Sequence, residues 1–188
     1  MMKFTPLSLS GLMLIEPQVF GDDRGFFMET YSKKEFTKNG IDIDFVQDNH
    51  SRSGLGVLRG LHFQKPPFAQ AKLIRVSLGE VLDVAVDIRL DSPTFGKWDS
   101  AHLSAESKNM LYVPVGFAHG FYCLSDIVDF QYKCSNFYHQ ESEGGFIWND
   151  RDVNVGWMAA NPILSDKDKL LPSFKSQIKE LKSISWNS

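Results

Sequence analysis

Lys72-Leu73-Ile74-Arg75-Val76-Ser77-Leu78 and, after Gly79, Glu80-Val81-Leu82-Asp83-Val84-Ala85-Val86-Asp87-Ile88 decide how this chain is built. In the first run Lys72, Ile74, Val76 and Leu78 alternate with Leu73, Arg75 and Ser77. In the second, Leu82, Val84, Val86 and Ile88 alternate with Asp83, Ala85 and Asp87. A period of two marks strands with unlike faces, and the Ser77-Leu78-Gly79-Glu80 turn predicts that the two strands form a hairpin. Val128, Phe130, Tyr132 and Cys134 repeat the pattern against Asp129, Gln131 and Lys133. Short strands punctuated by Gly and Pro are expected from residue 12 to about residue 157.

Helical signals are few. Ser32-Lys33-Lys34-Glu35 has the form of a capping box and predicts a short helix stopped by Gly40. Phe174, Ile178 and Leu181 recur at helical spacing after Pro172, predicting a C-terminal helix against the outside of the sheets. Without an internal repeat or a low-complexity linker, residues 1–188 read as a single domain. The expected class is all-β: a sandwich or jelly roll with a few short helices, whose interior can hold a ligand cavity.

Composition narrows the partners. The 188 residues are 43% hydrophobic, 13% aromatic and 23% charged, ordinary values for a globular protein. Twenty Lys and Arg against 23 Asp and Glu leave a net charge of −3, so no basic field invites nucleic acid. Pro6, Ser8, Ser10 and Gly11 interrupt the apolar positions of the first residues, which makes a poor signal-peptide core. No apolar run approaches the roughly 18 residues of a spanning helix. A cytoplasmic protein without nucleic-acid or membrane partners is expected, with Cys123 and Cys134 as free buried thiols.

In such a sandwich, polar residues that share parity with core side chains point to a cavity. Lys72 has the parity of Ile74 and Val76, and Tyr132 that of Val128 and Phe130. Each has a plain structural alternative: a core tyrosine bonded to backbone, and a lysine that ends its strand and reaches solvent. Two histidines stand in glycine-rich segments, Arg59-Gly60-Leu61-His62-Phe63-Gln64 and Pro114-Val115-Gly116-Phe117-Ala118-His119-Gly120. Taken alone, either histidine reads as structural.

The Pro-x-Gly-x-x-His segment ending at His119 resembles the second motif of the cupins, a jelly-roll superfamily in which that histidine often binds a metal. A metal-binding cupin also offers His-x-His and then Glu, whereas Gln64 stands where the second histidine belongs. Two imidazoles fall short of the three protein ligands that a catalytic metal generally needs, so no metal is expected. Further motifs follow in order: Asp23-Arg24-Gly25-Phe26-Phe27 with Glu29, Gln47-Asp48-Asn49, Leu58 to Gln64, Lys72 to Val76, Asp83 to Arg89, Ser92-Pro93-Thr94-Phe95-Gly96, Gly116 to Phe121, Tyr132-Lys133, Trp148-Asn149-Asp150 and Leu164 to Asp168. On these residues the chain resembles the dTDP-4-dehydrorhamnose 3,5-epimerase family, metal-independent cupins that epimerise nucleotide-linked keto sugars.

The resemblance implies a cofactor-free enzyme acting on C3 and C5 of a dTDP-linked 4-keto-6-deoxy sugar through an enolate, working as a homodimer. It implies His62 as base with Asp168 as its partner (Asp166 being the nearby alternative), Tyr132 as acid, and Lys72 as holder of the oxyanion. It further implies substrate contacts from Arg24, Glu29, Gln47, Asn49, Arg59, His119, Glu143 and Lys167, with Asp83 orienting His119 and Tyr138 stacking on the base. Strict alternation from Leu58 to Gln64 would put Arg59 and His62 on opposite faces, so a bulge is expected at Gly60. Relatives that invert one centre, isomerise the keto group, or accept a GDP-linked sugar or a heptose share these motifs. The alternative of another class is a sugar-nucleotide-binding cupin without catalysis.

Overall fold

The computed structural model describes residues 2–186. The chain forms β1 (Lys3–Pro6), β2 (Met13–Glu16), β3 (Val19–Asp22), β4 (Gly25–Met28), α1 (Lys33–Lys38), β5 (Gln47–Gly54), β6 (Leu58–Gln64) and β7 (Lys72–Leu78). It continues through β8 (Glu80–Asp87), β9 (Trp98–Ser104), β10 (Met110–Val113), β11 (Phe117–Cys123), β12 (Ile127–Cys134), β13 (Glu143–Gly145), α2 (Asp166–Lys169) and α3 (Phe174–Leu181). A six-stranded sheet has the order β1-β2-β10-β7-β12-β5, and a five-stranded sheet the order β13-β6-β11-β8-β9. The two pack as an antiparallel β-sandwich, and β3 and β4 form a separate two-stranded ribbon.

The β7 and β12 alternation does what the sequence predicts. Ile74 and Val76 meet Val128 and Phe130 between the sheets, together with Leu103, Leu111 and Phe121. Fully burying each such side chain contributes about 1.5–3 kcal/mol. On the outer face of the six-stranded sheet, Leu73, Met110 and Tyr112 are covered by Phe36 of α1 and by Ile41. Cys123 and Cys134 are both buried free thiols.

Three expectations are corrected. The turn at Gly79 does not close a hairpin, because β7 and β8 belong to different sheets. Gly79, at φ +76°, carries the chain from one layer to the other, and a Cβ there would stand 2.2 Å from the Ile127 carbonyl oxygen. Strands begin at Lys3 and, among the described residues, end at Gly145, since the segment beyond packs its apolar side chains and pairs through an isolated bridge, Ile163 with Val57, rather than as a strand. Finally, Ser32 caps α1 by position, but its side chain makes no capping bond.

The five-stranded sheet is buried on both faces. Leu82, Val84, Val86 and Ile88 pack against Phe146, Trp157 and the Phe174 and Leu181 side chains of α3. Asp83 and Asp87 alternate with Leu82, Val84 and Val86 and so take the face of Val81 and Ala85, toward the other sheet, where both are 0% exposed. Asp87 is held there by Arg89, Ser92 and Thr94, and these bonds keep its carboxyl below the usual carboxylate range against the upward push of burial. Asp83 lies deeper, behind the functional cavity.

Candidate active site

The cavity opens between the two sheets. The five-stranded sheet contributes His62 from β6 and His119 from β11, and the six-stranded sheet contributes Lys72 from β7 and Tyr132 from β12. His62, Lys72 and Tyr132 are shared by two adjoining spaces of about 290 and 330 Å³. The first is lined further by Arg59, Phe121, Phe130, Lys167 and Asp168, the second by Gln47, Asn49, Gln64, Tyr138 and Glu143. Phe121 and Phe130 stack at 3.8 Å between centroids and give the first space an apolar wall.

Gly60 brings Arg59 and His62 to the same cavity. Between the pairs Phe121↔Arg59 and His119↔His62 the register of β6 slips by one residue against β11. This is the expected bulge. Leu58, Leu61 and Phe63 accordingly share the outer apolar cluster despite their uneven spacing. Gly60 sits at φ +128°, and a Cβ on it would stand 2.6 Å from the Gly120 Cα. Gly60→Ala is therefore expected to cost at least about 1 kcal/mol and to shift His62 relative to Asp168. Chemical denaturation and turnover together check this.

The His62 Nε2 lies 2.6 Å from Asp168 Oδ1. Ser165 caps α2 by accepting from the Asp168 N–H at 3.1 Å, which sets that carboxylate in place. Burial pushes the Asp168 carboxyl up, but the bond and charge of His62, with Ser165 and Lys167, more than offset it, so the group lies below the ordinary carboxylate range. An ionised partner of this kind fixes the imidazole and stabilises its protonated form. Nδ1 has no hydrogen-bond partner among the described residues. Asp166, by contrast, points outward with a 96% exposed side chain and pairs with Lys169.

Across the cavity, Tyr132 and Lys72 are both held in wall positions without a carboxylate bond. Burial, joined by the charges of Cys134 and Glu143, raises the Tyr132 phenol above its usual pKa, so it keeps its proton. Burial lowers that of Lys72, while the charges of Cys134, Asp83 and Glu143 oppose the shift. The Lys72 ammonium lies 5.8 Å from the Tyr132 ring centroid. A cation left without a carboxylate partner in a cavity wall is well suited to an anion that forms only during reaction.

The remaining expected residues divide into two groups. His119 Nε2 meets Asp83 Oδ1 at 2.8 Å, and burial pushes the carboxyl up and the imidazole down. Both Arg59 Nε and Nη2 donate to Ser53 Oγ at 3.1 Å. Glu143 Oε2 accepts from Tyr138 at 2.8 Å and from Lys167 at 2.5 Å. Gln47 donates to Asn49 and accepts from the Tyr138 N–H, each at 3.0 Å. Arg24 and Glu29 are not brought to this cavity: both are exposed, at the turn of the β3–β4 ribbon and just beyond it, and Arg24 pairs with Asp22.

Several cavity residues were missed from sequence. Gln64 and Cys134 had signals available, through their parity with His62 and Tyr132. Ser51 likewise shares the parity of Gln47 and Asn49 on β5, and Ser165 lies within the Leu164 to Asp168 motif.

Residues 6–176 match the family model described as dTDP-4-dehydrorhamnose 3,5-epimerase. The chain belongs to this family. A dTDP-4-dehydrorhamnose 3,5-epimerase of Shigella flexneri is 54% identical over 168 residues, covering 89% of this chain and 93% of the relative. Among solved epimerases, dTDP-6-deoxy-D-glucose-3,5-epimerase from Legionella pneumophila in complex with dTDP-4-keto-L-rhamnose superimposes with a TM-score of 0.93 at 46% identity. That match covers 96% of this chain and 97% of the other. The dTDP-4-dehydrorhamnose 3,5-epimerase from Bacillus anthracis with TDP and PPi bound gives 0.90 at 47% identity, covering 93% and 100%. The cupin-like β-fold expected for the epimerase family is thus the fold found.

Proposed function

We propose that this protein epimerises C3 and C5 of dTDP-4-dehydro-6-deoxy-D-glucose, giving dTDP-4-dehydro-L-rhamnose. The observation that carries the proposal is the opposition of His62, backed by Asp168, to Tyr132 across one cavity that also holds the unpaired Lys72. Both carbons flank the C4 carbonyl, so either can lose a proton to give the same kind of enolate. His62 takes the proton at Nδ1, Lys72 neutralises the charge growing on the C4 oxygen, and Tyr132 returns a proton to the other face of the carbon. Composition is unchanged over the cycle, and each inversion leaves one solvent-derived hydrogen on the sugar.

Arg59, His119 and Lys167 bind the diphosphate and the neighbouring sugar oxygens, where arginine's fork suits phosphate. Gln47, Asn49, Tyr138 and Glu143 hold the nucleoside end, with the exposed Tyr138 ring available to stack on a base. Arg24 and Glu29 reach a substrate only from another copy of the chain. The working form is a homodimer in which the β3–β4 ribbon, with Phe20, Phe26 and Phe27 exposed, docks on the partner's β5 edge. Among the described residues no helix is long and apolar enough to cross a membrane. The enzyme works in the cytoplasm on a nucleotide sugar destined for cell-surface polysaccharide.

Incubation with dTDP-4-dehydro-6-deoxy-D-glucose in D₂O, read by mass spectrometry, tests the reaction. Two incorporated deuteriums are expected. One would reassign the protein as a single-centre epimerase, and none would leave it a binding protein for this sugar. In the same assay Tyr132→Phe should retain deuterium exchange while product with inverted centres falls by about 10²-fold or more. Unchanged product formation would refute its role as acid.

A further inference from the structure

Gln64 is a cavity group to which the mechanism gives no work. It follows His62 by two residues on β6, shares its face, and is 5% exposed. Lys72, Tyr132, Tyr138 and Glu143 line the same space. Its Oε1 accepts a hydrogen bond from the His139 backbone N–H at 3.0 Å. Because a backbone N–H can only donate, the bonded end of the carboxamide is its oxygen, and this fixes which end carries Nε2. Among the described residues Nε2 has no partner. Although the residue is buried, Nε2 is not one of the described side-chain atoms sealed from solvent without a partner; it stays accessible from the cavity, a donor open to a ligand that enters there.

The position of that donor indicates what it meets. Gln64 pairs in register with Glu143, which bonds Tyr138 and Lys167, while its own oxygen tethers the residue directly after Tyr138. The side chain therefore stands at the junction between the reacting space around His62 and the segment bearing Tyr138. We propose that Gln64 is a substrate-binding residue whose Nε2 donates a hydrogen bond to an acceptor oxygen of the bound nucleotide. This rests on the nucleotide-sugar reading above and adds to it a donor directed at the ligand's nucleotide end. It also gives a reason for a carboxamide at this position. Glutamate would keep the bond to His139 but present a second oxygen, and a negative charge, to an anionic ligand.

Two near-isosteric variants separate the donor from the tether. Gln64→Glu retains the acceptor for His139, and Gln64→Met removes both functions. Titration calorimetry with dTDP is expected to show each binding about 10–100-fold more weakly than the native protein, as loss of a hydrogen bond to a charged group predicts. KM should rise accordingly, while kcat at saturation stays within about threefold, because His62, Lys72 and Tyr132 are untouched. If one variant does not fold, the other carries the measurement. Native-like dTDP affinity in a folded variant would overturn the role of Gln64, as would a collapse of kcat with KM unchanged. Solvent-deuterium exchange by the native protein reports separately on the parent reading: its absence overturns that reading, whereas normal exchange beside native-like dTDP binding overturns the Gln64 assignment alone.

Discussion

His62→Ala is expected to lose deuterium exchange at C3 and at C5 together, by about 10³-fold or more, while still binding dTDP. The size follows from losing general-base assistance, ordinarily about 10²–10⁴-fold, along with the imidazolium that Asp168 would have stabilised. Joint loss follows from geometry, because one imidazole on β6 faces the cavity with a single carboxylate behind it. Two separate bases would show as loss at one carbon only. Mass spectrometry of sugar recovered from D₂O distinguishes the cases, and selective survival of exchange at either position would contradict the one-base mechanism.

Lys72→Met should be the next most damaging change, lowering kcat by about 10²–10³-fold. Both enolates place their charge on the same C4 oxygen, so exchange at the two carbons should slow in proportion. Here the contrast with Tyr132→Phe is informative: loss of the acid leaves proton removal running, whereas loss of the cation slows removal itself. Folding should not suffer, because methionine replaces an ammonium set in a cavity wall with no carboxylate bond. A melting temperature at or above the native value, beside the depressed kcat, is the expected pair of results. Burial lowers the Lys72 pKa and raises that of Tyr132. The alkaline fall in native kcat should therefore belong to the lysine and should disappear in Lys72→Met, with residual activity flat through that range.

Much of the site was legible because strand parity is a local property. Ile74 and Val76 revealed which way Lys72 faces, and Val128 and Phe130 did the same for Tyr132. The conflict between Arg59 and His62 within β6 pointed to the bulge at Gly60 that the register of β6 against β11 contains. Choosing Asp168 over Asp166 required α2 itself, where a separation of two residues sends one carboxylate to His62 and the other to solvent.

What escaped prediction depends on partners distant in sequence. A strand turn says nothing about whether its arms pair with each other, so Gly79 passed for a hairpin although it joins two sheets. The layer that covers one face of β8, Phe146 to Leu181, lies far along the chain, so the alternation alone did not show that Leu82, Val84 and Val86 face α3 while Asp83 and Asp87 face the other sheet. Arg24 and Glu29 stand away from the cavity on the ribbon side, a placement no reading of one chain's periodicity could supply. Gln64 was noticed as a missing metal ligand, and its bond to His139 gives it a different task.

The most direct test is a crystal structure of the protein with its dTDP-linked sugar bound. The pyranose should lie between the two sheets, with His62 Nδ1 and the Tyr132 hydroxyl on opposite faces, each within about 3.5 Å of C3 or C5, and Lys72 on the C4 oxygen. A sugar bound with both groups on one face, or seated outside the space between His62 and Tyr132, would contradict the mechanism.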